Sequence, residues 1–211
     1  MKAADGVVRY ELVHRREALP TGLGELVRLL DAWRWRLWRQ GLIGQDGVRY
    51  GGVGWGNVSA RVEGPSFLIT GTQTGGLEHT DERHYALVES CDGSGSSGLV
   101  RARGPVAPSS EAMSHASLYA AASSIRFVFH VHAPELWREG GRLGLARTPD
   151  TVEYGTVAMA QAVAEVARRS DVVRVLVMGG HQDGVMAWGA SADEAGEALL
   201  AAHQASACQG T

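Results

Sequence analysis

Two histidines separated by one residue, His130 and His132 in the stretch FHVHAP, are the first residues of this sequence that could do chemistry. On a β-strand, residues i and i+2 point to the same face of the sheet, so the two imidazoles would project side by side. Imidazole nitrogens suit zinc, and a catalytic zinc holds three protein ligands and keeps a fourth position open. The pair predicts part of a metal site, although two histidines on a polar sheet face remain the alternative.

His181 is the candidate third ligand. It follows the apolar run 172–178 and lies in a glycine-rich turn, GGHQDG. A strand end is rigid, and glycines allow the backbone to turn sharply and aim a side chain. The alternative is a solvent-exposed turn histidine. The remaining histidines lack such a context and are predicted to be structural or surface groups: His14, His79, His84, His115 and His203. Of these, His115 lies one helical turn after Glu111.

Glu111 is the candidate acid/base residue, and it ends the stretch PSSE at a predicted helix start. Ordinary helix capping, which is worth about 1 kcal/mol, is the alternative for this stretch. Helix N-terminal amides bind anions, so Ser109 and Ser110 could hold a phosphate while Glu111 moves protons. Asn57 and the loop 70–76 add hydroxyls, an amide and backbone N–H groups, which can form an anion-binding nest or two ordinary turns.

The surrounding pattern predicts the elements that must position these residues. Helical periodicity covers 21–39, 109–123 and 156–169, and a capping box at 191–194 opens a last helix. Strands are predicted at 67–69, 125–131, 172–178 and 185–188, with a short helix and a strand within 80–90 and a hairpin tip at 93–98. Helices and strands alternate irregularly, which favours a mixed-sheet α/β layer fold over a doubly wound parallel sheet.

Composition limits the classes of function. The chain has 211 residues and a net charge of −3, which predicts one domain over residues 1–211 and gives no broad electrostatic attraction to nucleic acid or an anionic membrane. Two distant cysteines, Cys91 and Cys208, favour a reducing compartment. The N-terminus has no signal-peptide pattern, and no stretch reaches the roughly 18 apolar residues of a membrane span. We therefore expect a cytoplasmic protein.

Taken together, the motifs resemble the class II aldolase/adducin-like family in order and kind. The resemblance covers about residues 24–203 and rests on GNVSAR, FLITGTQTGG, PSSE with a histidine one turn later, FVFHVHAP, EYGT before a helix, and the strand that leads to His181. It implies a three-layer α/β/α sandwich around a mixed central β-sheet. It also implies a cyclic homotetramer with active sites at the subunit interfaces. From the charge balance, we expect a small-molecule substrate and no nucleic-acid or membrane partner.

The same resemblance assigns roles to residues. It implies a divalent metal, usually zinc but with Mn, Fe, Co or Ni also possible, held by His130, His132 and His181. Glu111 becomes the general acid/base. The phosphate pocket maps onto Asn57, Thr74, Gly75, Ser109 and Ser110.

The sequence also departs from the family pattern. The third histidine usually lies in N-H-G, but here it lies in Gly180-His181-Gln182. The stretch from His132 to Tyr154 is shorter than in the sugar-phosphate aldolases, and no tyrosine follows Tyr154, so the tail tyrosine of those enzymes is absent. The family's epimerases use a different pattern of acidic residues from the one that contains Glu111, which disfavours an epimerase activity.

The expected activity is that of a metal-dependent lyase. The metal would polarise a hydroxycarbonyl substrate and stabilise the enediolate that remains when a carbon–carbon bond breaks. Aldol cleavage of a phosphorylated hydroxyketone fits best, and decarboxylation of a hydroxy or keto acid is the nearest chemical alternative. A non-catalytic, adducin-like binding module and a zinc-stabilised structural protein are the alternatives from other classes.

Overall fold

The computed structural model describes residues 9–94, 97–169 and 174–207. Over these residues the chain forms a nine-stranded sheet in the order β1-β5-β4-β3-β2-β6-β9-β8-β7. The strands are β1 Glu11–Arg16, β2 Asn57–Arg61, β3 Phe67–Thr70, β4 Tyr85–Asp92, β5 Leu99–Gly104, β6 Phe127–His132, β7 Ala146–Arg147, β8 Val175–Val177 and β9 Gly184–Gly189. The β1–β5 and β7–β8 pairs are parallel and the other neighbours are antiparallel, so the sheet is mixed as predicted.

Helices cover both faces of the sheet. They are α1 Gly24–Trp38, α2 Ala112–Ala121, α3 Pro134–Glu139, α4 Val157–Arg169 and α5 Ala192–Ala207, and 3-10 turns lie at Arg49–Gly52 and Glu82–His84. One apolar core joins α2 and α4 to the sheet, and a second core joins α1, α3 and α5 to the opposite face. This is the predicted three-layer α/β/α sandwich.

The central strand β6 shows how the sequence produces these layers. Val128 packs in the core under α2 and α4, whereas Phe129 and Val131 pack in the core under α1, α3 and α5. Because side chains alternate along a strand, His130 and His132 lie on the same face as Val128. A strand that is covered on both faces needs apolar residues at nearly every position, and the two histidines interrupt that run.

The predicted elements are found, with shifted ends. The helix predicted at 109–123 spans Ala112–Ala121, so Ser109 and Ser110 precede it. The strand predicted at 172–178 is Val175–Val177, and residues 172 and 173 lie outside the described residues. β4 and β5 form the hairpin predicted around 93–98, of which residues 95 and 96 also lie outside. Strand β1 precedes the predicted core of 24–203 and was not predicted. None of the described helices has the length and apolar character of a membrane span.

Candidate metal and anion site

The three predicted histidines converge at one end of the sheet. His130 and His132 lie on β6, where they pair with Met186 and Gly184 of β9. His181 lies in the turn between β8 and β9, and all three side chains are buried. A ligand atom from each ring lies within 4.8 Å of those of the other two. The structure therefore brings the predicted triad together.

Two glycines allow the turn that carries His181. A side chain at Gly179 would collide with the carbonyl of Thr148, and a side chain at Gly180 would collide with the carbonyl of Val152. The N–H of Gly179 donates to Thr148 Oγ1 at 2.9 Å. The segment 148–152 thus passes so close to the turn that only glycine fits, which explains the GG before His181 in physical terms.

The chemistry of the triad suits a divalent cation. Burial, followed by the neighbouring His181, lowers the pKa of both His130 and His132 well below the usual histidine value, so their rings are neutral. His130 Nδ1 lies 3.2 Å from the carbonyl oxygen of Val185. Because a carbonyl can only accept, Nδ1 carries the proton and Nε2 presents its lone pair, the arrangement typical of metal-binding histidines.

Glu111 lies beside the triad. Its side chain is 2% exposed, and Oε1 lies 3.7 Å from His181 Nδ1. Oε2 accepts a hydrogen bond from Ser114 Oγ at 2.8 Å, which fixes the orientation of the carboxylate. Glu111 occupies the N-cap position of α2, but its side chain makes no capping hydrogen bond. Ser109 Oγ accepts from the Glu111 N–H at 3.4 Å, so the capping contact in this stretch comes from the serine, while the Glu111 carboxylate lies beside the histidines.

The predicted anion-binding residues line the same cleft as the triad and Glu111. They are Asn57, Thr74, Gly75, Ser109 and Ser110. Asn57 pairs with His130 across the β2–β6 ladder. Its Oδ1 is buried and accepts no hydrogen bond from the described residues, although buried polar atoms normally have a partner. A ligand in the cleft would supply one.

Backbone contacts hold the two halves of this cleft in place. Ser109 N–H donates to the Thr70 carbonyl at 3.2 Å, which joins the start of α2 to the end of β3. Gly75 packs directly on the backbone of Gly44 and Trp55, so a larger residue there would collide with both. The cleft is thus built from rigid backbone.

Two tyrosines at the triad were not predicted. The Tyr50 ring meets His132 edge to face at 4.6 Å, and its hydroxyl donates to Asp183 Oδ2 at 2.6 Å. The Tyr154 ring stacks on His181 at 4.4 Å. Tyr50 and Asp183 both have a positive φ, at 51° and 64°, which is uncommon outside glycine. Their contact joins turns that are distant in sequence, and only the Asp-Gly pair after His181 hinted at such a conformation.

His115 belongs to a buried hydrogen-bonded network on α2. It is fully buried on α2, and its Nδ1 lies 2.6 Å from Ser59 Oγ of β2. The same hydroxyl lies 2.7 Å from the hydroxyl of Tyr119. This network ties α2 to β2, and these two elements carry Glu111 and Asn57.

Comparison with known proteins bears on the family and the fold. Residues 48–137 match the family model of the class II aldolase and adducin N-terminal domain, and no curated protein matches the sequence. Among solved structures, l-fuculose-1-phosphate aldolase from Thermus thermophilus is similar with a TM-score of 0.62 and 19% identity, covering 87% of this chain and 91% of that chain.

Two further structures share the fold. YgbL from Klebsiella pneumoniae, described as a putative aldolase/epimerase/decarboxylase, has a TM-score of 0.65 and 19% identity, with 88% of each chain covered. A sugar-phosphate aldolase from Thermotoga maritima has a TM-score of 0.65 and 15% identity, covering 87% of this chain and 93% of that chain. At these identities the likeness is one of fold.

Proposed function

We propose that this chain, whose residues 48–137 match the class II aldolase and adducin N-terminal domain, is a divalent-metal-dependent lyase that breaks a carbon–carbon bond. The observation that carries the proposal is the convergence of His130, His132 and His181 beside the Glu111 carboxylate in one buried cleft. A scaffold or binding module has no use for three buried imidazoles, because burying polar groups is costly.

The three histidines would hold the cation, with zinc as the metal that best suits three imidazole ligands. When bound, such a cation supplies a Lewis acid that polarises a carbonyl oxygen and offsets negative charge that develops on the substrate. Glu111 would carry the proton to or from the reacting carbon or its hydroxyl. Its hydrogen bond from Ser114 leaves Oε1 on the side of the histidines, where a proton can be exchanged with a ligand in the cleft.

We propose a phosphorylated hydroxyketone as the substrate, cleaved in the retro-aldol direction. Asn57, Thr74, Gly75, Ser109 and Ser110 would hold the phosphate, because hydroxyls, an amide and backbone N–H groups are suitable donors for an anion. The names of two structurally similar proteins, l-fuculose-1-phosphate aldolase and sugar-phosphate aldolase, support this substrate class.

Decarboxylation of a hydroxy or keto acid is the second candidate. One observation favours it: the described residues that line the cleft include no lysine or arginine. A site built from neutral donors can hold a carboxylate as well as a phosphate. A panel of hydroxyketone phosphates and keto acids, assayed with the metal-loaded protein, would distinguish the two candidates by which group is turned over.

The metal is the first test of the proposal. We expect about one divalent ion per chain by elemental analysis, removable by a chelator. His130→Ala and His181→Ala should each lose most of this metal, whereas His79→Ala, which changes an exposed histidine, should retain it. If both triad variants hold as much metal as the parent protein, the assignment of ligands is wrong.

Glu111 is the second test. Glu111→Gln should fold and keep its metal but lose about 10²–10⁴-fold in turnover, because it removes the proton-transfer group while keeping the shape. Glu25→Gln, a surface change in α1, is the matched control and should be fully active. Unchanged turnover of Glu111→Gln on an authentic substrate would exclude an acid/base role.

We also propose that the protein forms a homotetramer with its active sites at the subunit interfaces.

A further inference from the structure

Arg34 of α1 is a buried cation directly behind the loop that forms one wall of the cleft. Its side chain is only 1% exposed, an unusual environment for arginine. Nη2 donates to the carbonyl oxygens of Thr74 at 2.7 Å, Gly75 at 3.2 Å and Leu77 at 2.6 Å, and Nη1 donates to that of Glu78 at 3.2 Å. The guanidinium thus fixes four carbonyls of one loop.

Within the described part of the chain, no carboxylate is hydrogen-bonded to Arg34, although Asp31 lies close enough to raise the pKa of the guanidinium. The carboxylate of Asp31, one turn earlier on α1, accepts from Thr80 N–H and Thr80 Oγ1 at 2.6 and 2.7 Å and from His79 Nδ1 at 3.1 Å. Burial lowers the pKa of Arg34, but a guanidinium remains charged in proteins. Burying a charge is costly, and the Asp31 carboxylate is already engaged by Thr80 and His79, so the carbonyls of the loop are the groups that accept from the guanidinium.

The geometry of the peptide unit supplies a reason for this position. In a trans peptide the N–H points opposite to the C=O of the same unit. The carbonyls of Thr74 and Gly75 point at Arg34, so the N–H groups of Gly75 and Gly76 point to the other side of the loop. Thr74 and Gly75 line the cleft, as does Asn57.

We propose that Arg34 is a positioning residue that turns the loop 74–76 into a receptor for a phosphate group. It orients the peptide dipoles with their positive ends toward the cleft, and its charge acts through them on the bound anion. The inference rests on the proposed function, and it accounts for how a cleft whose described lining lacks lysine and arginine can favour a dianion over a neutral ligand.

Arg61 provides an internal comparison. Its guanidinium also donates to backbone carbonyls, namely those of Ile125, Gly64, Tyr119 and Ala122. Those of Tyr119 and Ala122 lie at the C-terminal end of α2, where carbonyls lack helical partners and a cation is favoured by the helix dipole. Helix capping is a sufficient reason for Arg61, whereas the carbonyls that bind Arg34 belong to a loop beside the cleft.

The test measures the dissociation constant of inorganic phosphate by titration calorimetry on the metal-loaded protein and its variants. Arg34→Gln removes the charge and keeps a hydrogen-bond donor, and Arg34→Lys keeps the charge on a different geometry. We expect phosphate to bind about tenfold or more weakly to Arg34→Gln and to an intermediate extent to Arg34→Lys, with unchanged metal content. Arg61→Gln should lower thermal stability without changing phosphate affinity.

The outcomes separate the two ideas. Phosphate dissociation constants within twofold of the parent in both Arg34 variants would overturn the role of Arg34 and leave the anion pocket intact. If Arg34→Gln does not fold, the phosphate dissociation constant of Arg34→Lys decides: a value within twofold of the parent overturns the role of Arg34. A parent protein that does not bind phosphate at all would refute the anion pocket itself, and the role of Arg34 with it.

Discussion

At the residue scale, the sequence is most informative where chemistry depends on residue type and short spacing. His130 and His132 could be recognised because a strand puts both on one face, and Glu111 because it follows two serines at a helix start. Tyr50 and Asp183 could not be recognised, because their contact spans 133 positions and depends on two turns with positive φ. Sequence patterns report periodicity, and they contain no signal for such a contact.

Tyr50 should control how long the metal stays bound. Burial and the hydrogen bond to Asp183 raise the pKa of its hydroxyl, so it remains a proton donor, and its ring packs against His132. Asp183 lies two residues after His181. Tyr50 therefore contacts both segments that carry the histidines, through its ring at His132 and through its hydroxyl at Asp183. Tyr50→Phe keeps the ring against His132 and removes the hydrogen bond to Asp183.

We expect zinc to leave Tyr50→Phe about tenfold faster or more under excess chelator, because residues that support metal ligands typically change affinity by 10–100-fold. The measurement is the release rate followed with a coloured chelator. Tyr85→Phe, which removes another buried hydroxyl, at 2.9 Å from Thr80 Oγ1, should release zinc at the parent rate. Equal rates for parent and Tyr50→Phe would remove Tyr50 from the support of the site.

At the scale of elements, the prediction placed the main helices and strands but missed β1. Its sequence, ELVHRR, is short and charged, and edge strands are often polar because they must resist pairing with other chains. The two residues that precede β1 nevertheless contact residues of the site. Tyr10 OH donates to the carbonyl of Ser109 at 2.9 Å, and Arg9 pairs with Glu153 and lies over the ring of Tyr154.

The network between β2 and α2 gives a pH dependence of stability that can be measured. Burial lowers the pKa of His115 to about 3, whereas an unfolded histidine titrates near 6.5. Between these values the unfolded chain binds a proton that the folded chain does not. The free energy of unfolding is therefore not reduced by His115 above pH 6.5, and it decreases as the pH falls toward 3.

We expect the free energy of unfolding of the parent to fall, between pH 6 and 5, by about 1 kcal/mol per pH unit more than that of His115→Gln. Urea unfolding of chelator-treated protein at several pH values would show the difference in slope. Tyr119→Phe breaks the same network without removing the titrating group, so it should lower stability at every pH and keep the parent slope. Parallel curves for parent and His115→Gln would show that His115 is not held neutral.

At the scale of the whole molecule, the irregular alternation of helices and strands predicted a mixed-sheet α/β layer fold, and the family resemblance implied the three-layer sandwich. The order of strands was not predictable in the same way. β6 lies between β2 and β9, and β1 adds in parallel beside β5, although these neighbours are far apart in the chain. Such pairings depend on which apolar faces fit together, which a one-dimensional pattern does not contain. The extent of the domain, residues 1–211, stays a prediction.

Assembly is the last property that belongs to the whole molecule. Trp33 is buried in the core, but Trp35 lies at a shallow surface depression with Ala32 and His79, and its ring stacks on that of His79 at 5.9 Å. Leu29, one turn before Ala32, is 41% exposed. Apolar and aromatic surface of this kind is typical of contacts between subunits.

We expect light scattering at micromolar concentration to give about four times the 22.4 kDa mass of one chain. Leu29→Glu should shift the protein toward smaller species, because it puts a charge into an apolar contact. Val48→Glu, at a valine that is 92% exposed and lies outside α1, is the matched control and should leave the mass unchanged. A parent protein that is monomeric at these concentrations would contradict the tetramer and any site completed by a neighbouring subunit. A tetramer that Leu29→Glu does not disturb would instead place the contact on another face.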